Sequence, residues 1–277
     1  MKQALLIVNT QSGSASAVDL EVVSAALRSA GFSVEDTVKI PEQDCPDRAA
    51  IEKLGAEVVV LLSGDGTVAS LCDKLGDWPG SVLVLPGGTM NLMARRLHGD
   101  VTLPEIIGRL PNAEMVAENV PVICVGGREV MTGLTVGAST RWGQVREGIR
   151  HGDVATLAQT VPEAWAETLS AEGVWIDGQP RDAYSGIFVE PREAGNLSVI
   201  GFRANSIGDM LGHGVAWLRR DFRNGPSDDL GTTDTVTIVG DDAETGLLID
   251  GEYEDGRLPI SCKAGMSSVK FLRIVTR

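Results

Sequence analysis

Between Ala56 and Leu97 the chain twice runs from a short apolar segment through a glycine turn into a helix-like stretch. This repetition limits the fold more than any other feature. Val58–Leu62 and Ser81–Leu85 are short, β-branched and bounded by turn residues, the pattern of buried parallel strands. The first empties into Ser63-Gly64-Asp65-Gly66-Thr67 and the second into Pro86-Gly87-Gly88-Thr89-Met90-Asn91. Strand, glycine turn and helix start together make an anion site, because bare backbone admits phosphate and the helix end is electropositive. Two such turns, one strand–helix step apart, come to lie side by side at the carboxyl edge of a sheet, where open α/β folds bind ligands. Either turn alone is ordinary βα punctuation. Both together, each with a Thr and an Asp or Asn, read as a nucleotide phosphate site.

The flanking sequence extends this pattern. Ala4–Val8 is a strand that ends in the polar loop Asn9-Thr10-Gln11-Ser12-Gly13-Ser14, and Val18–Ala30 has helical spacing. Phe32–Val38 is a second strand and Pro46–Leu54 a helix. Four strands alternating with helices predict a parallel sheet covered on both faces, a Rossmann-like three-layer α/β domain. Helices over Leu92–Leu97 and Leu103–Leu110 follow, and Pro111-Asn112 breaks the chain. From Met115 the runs Met115–Val125, Glu129–Val136, Val174–Ile176, Tyr184–Glu190, Leu197–Arg203, Thr235–Val239, Gly246–Ile249 and Val269–Val275 predict an antiparallel β-sandwich. Helical stretches near Gln144–Leu169 and Ile207–Phe222 interrupt it, and Gly225–Asp234 reads as a mobile loop. The expected domains are 1–113 (α/β) and 114–277 (β-rich).

Composition removes several function classes. The 24 basic and 38 acidic residues give a net charge of −14, the wrong sign for a general nucleic-acid surface or broad attachment to anionic lipid. Local basic patches remain, around Arg141-Trp142 and around Arg219-Arg220 beside Trp217; core packing with solvated arginines is expected there, membrane docking being the alternative. Cys45, Cys72, Cys124 and Cys262 are far apart and read as reduced thiols. His98, His151 and His213 lack ligand spacing. Ala4–Val8 is too short for a signal-peptide core and no apolar run approaches membrane-spanning length, so a cytoplasmic chain is expected.

GDGT followed by PGGTMN resembles the diacylglycerol kinase catalytic family, which includes bacterial lipid kinases, sphingosine kinases and ceramide kinases. There the first motif reads GGDGT and the second P-x-GT-x-N-D, so Ser63 replaces a Gly and Leu92 replaces the acid after Asn91. Asn9 to Gly13 resembles the family's N-P-x-S-G loop, with Thr10 for Pro. The resemblance implies that Asn9, Ser12, Gly13, Ser63, Gly64, Asp65, Gly66, Thr67, Gly87, Gly88, Thr89 and Asn91 bind ATP, with backbone N–H groups of Gly64–Thr67 and Gly87–Thr89 cradling phosphates. Asp65 would hold Mg²⁺ or orient its loop.

Leu248-Ile249-Asp250-Gly251-Glu252 is, on its residues, a hairpin turn, as are Asp177-Gly178 and Asp255-Gly256. The resemblance adds a second meaning, because the family carries a D-G-E motif whose acid is taken as general base toward the acceptor hydroxyl. Asp250 is then expected as base or orienter, with Glu252 supporting it or exchanging roles. It also implies an Asp-Gly pair for a structural Mg²⁺ where this chain has Glu193-Ala194-Gly195, with Ala194 in place of the acid. The function implied is ATP- and Mg²⁺-dependent phosphorylation of a lipid hydroxyl, on diacylglycerol or a sphingoid or ceramide-like relative. The lipid is the expected partner, with peripheral contact at the inner membrane face and a homodimer as further options. A non-catalytic nucleotide- or lipid-binding member, and an NAD kinase, are the alternatives.

Overall fold

A computed structural model describes residues 1–13, 15, 18–137, 173–203 and 227–275. The helical stretches expected near Gln144–Leu169 and Ile207–Phe222, and the basic patches of Arg141-Trp142 and Arg219-Arg220, lie outside the described residues. The chain divides into two units, one of Met1–Val120 with Met266–Arg277 and the other of Pro121–Gly265.

In the first unit, strand and helix alternate as β1 (Lys2–Asn9), α1 (Leu20–Ser29), β2 (Phe32–Ile40), α2 (Arg48–Lys53), β3 (Val58–Ser63), α3 (Asp65–Leu75), β4 (Ser81–Pro86), α4 (Leu92–His98) and α5 (Leu103–Arg109). Local chemistry starts the helices. Asp19 and Asp47 accept hydrogen bonds from Glu21 N and Ala50 N at the heads of α1 and α2, and Thr102 with Glu105 forms a capping box on α5. The strands pair in parallel in the order β2-β1-β3-β4. Alternate side chains go to opposite faces. Leu6, Val8, Val60, Leu62, Leu83 and Leu85 pack with Val23, Leu27, Ile106 and Leu110 of the helical layer. Leu5, Ile7, Val59, Leu61, Val82 and Val84 are buried as well, as a sheet covered on both sides requires.

The second unit is antiparallel. Its strands are the ends of β5 (Glu114–Val125) and β15 (Ile260–Val275), with β6 (Arg128–Val130), β7 (Leu134–Val136), β8 (Val174–Ile176), β9 (Gly186–Arg192), β10 (Asn196–Phe202), β11 (Ser227–Thr233), β12 (Thr235–Gly240), β13 (Glu244–Ile249) and β14 (Glu252–Arg257) between them. One six-stranded sheet runs β11-β10-β9-β7-β13-β14. Its inward residues Leu134, Val136, Ile187, Val189, Leu197, Val199, Leu247 and Ile249 share a core with Ile123, Val130, Val174, Ile176, Val236, Ile238 and Cys262. That is the expected sandwich. Burial pushes the Cys262 thiol up to about 12, in keeping with an inert reduced group.

Several expectations change. Glu129–Val136 is two strands, β6 and β7, which belong to different sheets. The run expected from Tyr184 starts at Gly186, and Tyr184 makes an isolated bridge to Val174 instead. Residues 227–233 of the expected mobile loop form β11, an edge strand paired to β10. Asp255-Gly256 is not a turn but lies inside β14, opposite Thr245 and Gly246, whereas Asp177-Gly178 does turn, with Gly178 at φ +75°. The first unit reaches Val120, so the division falls inside β5, which starts at Glu114 and ends at Val125. The last strand is sixteen residues long, and its C-terminal part joins the first unit's sheet, pairing Lys270 and Phe271 in parallel with Ser81 and Val82. Among the described residues no helix is long and apolar enough to cross a membrane.

Candidate nucleotide and catalytic residues

Because β1, β3 and β4 are adjacent and parallel, the loops that follow them meet at one sheet edge. The contact between loops is mostly backbone to backbone. Gly87 N donates to Ser63 O (3.0 Å), Ala15 N donates to Gly87 O (3.1 Å), and Gly64 N donates to Ser12 Oγ (3.3 Å). A Cβ on Gly88 would stand 2.5 Å from Gly64 Cα, and one on Gly87 would stand 2.8 Å from Ser63 N. These two glycines are therefore required by the packing of turn on turn.

Asn91 closes the second turn on itself. It sits at φ 51°, accepts from Gly88 N through Oδ1 (2.7 Å) and donates through Nδ2 to Gly88 O (2.9 Å). The N–H groups of Gly87 and Gly88 are thus already engaged within the protein. Thr89 is exposed. Asp65 Oδ1 accepts from Met93 N (2.9 Å), so the first residue of α3 caps the second residue of α4 and ties the two turns together. Leu92, half-buried at the start of α4, contributes no carboxylate of its own.

The first turn is different. The hydrogen-bond ladder of α3 begins with Val68 N donating to Gly64 O (3.3 Å), so the N–H groups of Gly66 and Thr67 precede it without an intrahelical acceptor. No side chain caps this helix. The Thr67 hydroxyl accepts from Asn9 Nδ2 (3.0 Å). Donors and an electropositive helix end converge here, and this is where the fold fits phosphate oxygens. Ser12 and Gly13 of the β1 loop border the same place, and the buried Ser63 donates to Gly64 O (3.2 Å). Asp65 next to these donors would repel phosphate unless a cation lay between them. Among the described residues no group of three or more His, Cys, Asp or Glu is placed to hold a metal. One carboxylate beside phosphates is nonetheless a normal Mg²⁺ arrangement.

Asp250 and Glu252 both lie on the β13–β14 hairpin of the second unit. Ile249 pairs with Glu252 across a two-residue turn, Asp250 at φ 48° and Gly251 at φ 90°, the geometry of a type I′ hairpin. The Asp250 side chain is 4 % exposed. Its Oδ2 accepts from Met131 N (3.0 Å), and its Oδ1 accepts from Thr132 N (2.6 Å), Thr132 Oγ1 (2.8 Å) and Gly133 N (3.3 Å). Burial pushes this carboxyl above the ordinary range and the four donors pull against it. Of the two roles expected for Asp250, these bonds favour the orienter. Glu252 is exposed and has no side-chain partner among the described residues. The Met131–Gly133 loop escaped the sequence reading, since nothing local in it signals a contact 117–119 residues away. Ala194 and its neighbours form a short turn between β9 and β10, closed by Gly195 at φ 71°.

Residues 3–125 match the family model described as the diacylglycerol kinase catalytic domain. A search of curated proteins gives no match. Among solved structures, a diacylglycerol kinase from Bacillus anthracis str. Sterne is 16 % identical, covers 98 % of this chain and 97 % of its own, and superposes with a TM-score of 0.62. Two further structures from that organism, 16 % and 15 % identical, cover 98 % of this chain and 97 % and 96 % of their own, with TM-scores of 0.63 and 0.61. The described residues therefore have the fold of these proteins, and residues 3–125 are similar to the diacylglycerol kinase catalytic domain family.

Proposed function

We propose that this chain is an ATP-dependent kinase that transfers the γ-phosphate to a lipid hydroxyl, with diacylglycerol or a sphingoid or ceramide-like lipid as acceptor. The observation that carries the reading is that the family match spans all three loops that meet beside the free donors at the head of α3. Phosphoryl transfer proceeds through a loose transition state, so holding and neutralising the phosphates matters more than covalent chemistry. The N–H groups of Gly66 and Thr67 and the Thr67 hydroxyl hold phosphate oxygens. Asp65 would hold a Mg²⁺ arriving with the nucleotide, which would supply charge to offset the phosphates. Glu252, exposed at the head of β14, receives the proton of the attacking alcohol, while Asp250 fixes the hairpin that presents it. The protein works in the cytoplasm and meets its lipid at the inner membrane face.

Transfer of labelled γ-phosphate from ATP to mixed micelles of diacylglycerol, sphingoid base or ceramide, with chromatography of the products, tests the reading. A labelled lipid supports it. NADP formed from NAD and ATP would instead support an NAD kinase. A second reading, a non-catalytic binding member, draws on Leu92 and Ala194, which stand where the resemblance implies acids. It would be favoured by ATP–Mg²⁺ raising the melting temperature while no lipid accepts phosphate.

A further inference from the structure

Asn9 makes two hydrogen bonds that together fix which way its amide faces. Its Oδ1 accepts from Gln11 N (3.1 Å) and its Nδ2 donates to Thr67 Oγ1 (3.0 Å). A backbone N–H can only donate, so the atom facing Gln11 is the oxygen, and the atom facing Thr67 is the NH₂ group. Thr67 Oγ1 is therefore obliged to accept from Asn9. Its own proton must point elsewhere, and among the described residues it meets no acceptor. The hydroxyl lies in the first turn of α3, beside N–H groups that likewise lack an intrahelical acceptor.

We infer that Asn9 is a positioning residue that acts through Thr67: its amide sets the polarity of the Thr67 hydroxyl so that the hydroxyl proton is presented to a nucleotide phosphate oxygen. This deepens the kinase reading and rests on it. The resemblance counts Asn9 among residues that touch the nucleotide; the hydrogen-bond inventory gives it a different task. One amide N–H and the amide oxygen are engaged within the protein, and what the arrangement delivers is one oriented O–H at the helix head. Asp at this position would reverse the arrangement, because a carboxylate would accept the Thr67 proton and withdraw the donor.

The test is a double-mutant cycle read as affinity for a non-hydrolysable ATP analogue with Mg²⁺, by calorimetric titration of the full chain. Thr67→Val, which keeps the shape and removes the hydroxyl, weakens binding about ten-fold, the loss of one hydrogen bond to a charged group. Asn9→Ala weakens it about three-fold, the freedom of a hydroxyl rotor with three staggered wells. Asn9→Asp weakens it about ten-fold or more. In the Thr67→Val background Asn9→Ala then has no further effect, whereas in the Thr67→Ser background, which restores a hydroxyl, the three-fold loss returns. A loss of packing alone would follow Asn9→Ala into every background, and melting temperatures measured alongside separate the two. Additive losses for Asn9→Ala and Thr67→Val would overturn the role and make Asn9 a direct ligand. Unchanged affinity in Asn9→Asp would overturn it equally. A wild-type chain that binds no nucleotide would remove the kinase reading itself, an outcome distinguishable from either.

Discussion

Gly64 and Gly88, on turns that follow β3 and β4, approach so closely that a single methyl group on Gly88 would lie 2.5 Å from the Gly64 Cα atom. The relation is not symmetric. A Cβ on Gly64 would meet Gly88 Cα at 3.4 Å, an ordinary contact, and Gly64 has φ −90°, which any residue adopts. Gly88→Ala is therefore expected to lower stability by about 1–3 kcal/mol through overpacking against backbone. It should also spread the two turns and weaken ATP–Mg²⁺ binding. Gly64→Ala should lose less than about 1 kcal/mol. Denaturant melts of the two variants check the contrast, and equal losses would contradict it.

Asp250 offers a second contrast. With both oxygens filled by donors in a buried site, Asp250→Ala strands three backbone N–H groups and should cost about 3 kcal/mol or more. Asp250→Asn is no conservative change here. It sets an NH₂ group against a backbone N–H on one side, for a loss of about 1–3 kcal/mol. Chemical denaturation of both variants measures this, and an Asp250→Asn protein as stable as wild type would show that the carboxylate is not the anchor of the hairpin.

His98 predicts a pH dependence. Its Nε2 donates to Val84 O (3.0 Å) and its Nδ1 accepts from Ile274 N (3.4 Å), so the neutral ring bridges α4, β4 and β15. Burial lowers its pKa below the ordinary histidine value. With the folded pKa below the unfolded one, its contribution is complete above the unfolded value and is lost as pH falls through the folded value. The slope attributable to it reaches at most about 1.4 kcal/mol per pH unit. Stability followed from pH 7.5 downward should fall more steeply for wild type than for His98→Gln. Parallel curves would assign the acid sensitivity elsewhere.

ATP–Mg²⁺ should stabilise the fold with the logarithm of its concentration, by about 2.7 kcal/mol at a hundred times its dissociation constant, and raise the melting temperature accordingly. Omitting Mg²⁺ should remove most of that gain, because Asp65 beside the phosphate donors repels the bare triphosphate. Thermal shifts with ATP alone and with ATP–Mg²⁺ make the comparison. Equal shifts would argue that Asp65 only caps α4.

The first unit was legible because its signals are local. Segments such as Val58–Leu62 are apolar throughout, and glycine turns punctuate them. What escaped depends on contacts distant in sequence. The end of β15 joins the parallel sheet beside β4, some 190 residues away, and no periodicity in Val269–Val275 says which sheet it enters. β14, Glu252–Arg257, carries three acids and a glycine, which reads as loop, yet β13 holds it in register along its whole length. Likewise the motif singled out Asp250 and Glu252 as a pair but not their different surroundings. The Met131–Gly133 loop receives the Asp250 carboxylate, while Glu252 stays exposed.

The role proposed for Glu252 in phosphoryl transfer stands or falls with the Glu252→Gln variant. This surface substitution should leave the melting temperature and ATP–Mg²⁺ affinity close to wild type. The measurement is labelled γ-phosphate transfer to the best acceptor lipid at saturating ATP, for wild type and variant side by side. Wild type should yield a labelled lipid, and Glu252→Gln should do so at a rate at least about 100-fold lower. Transfer at an unchanged rate in Glu252→Gln would contradict it.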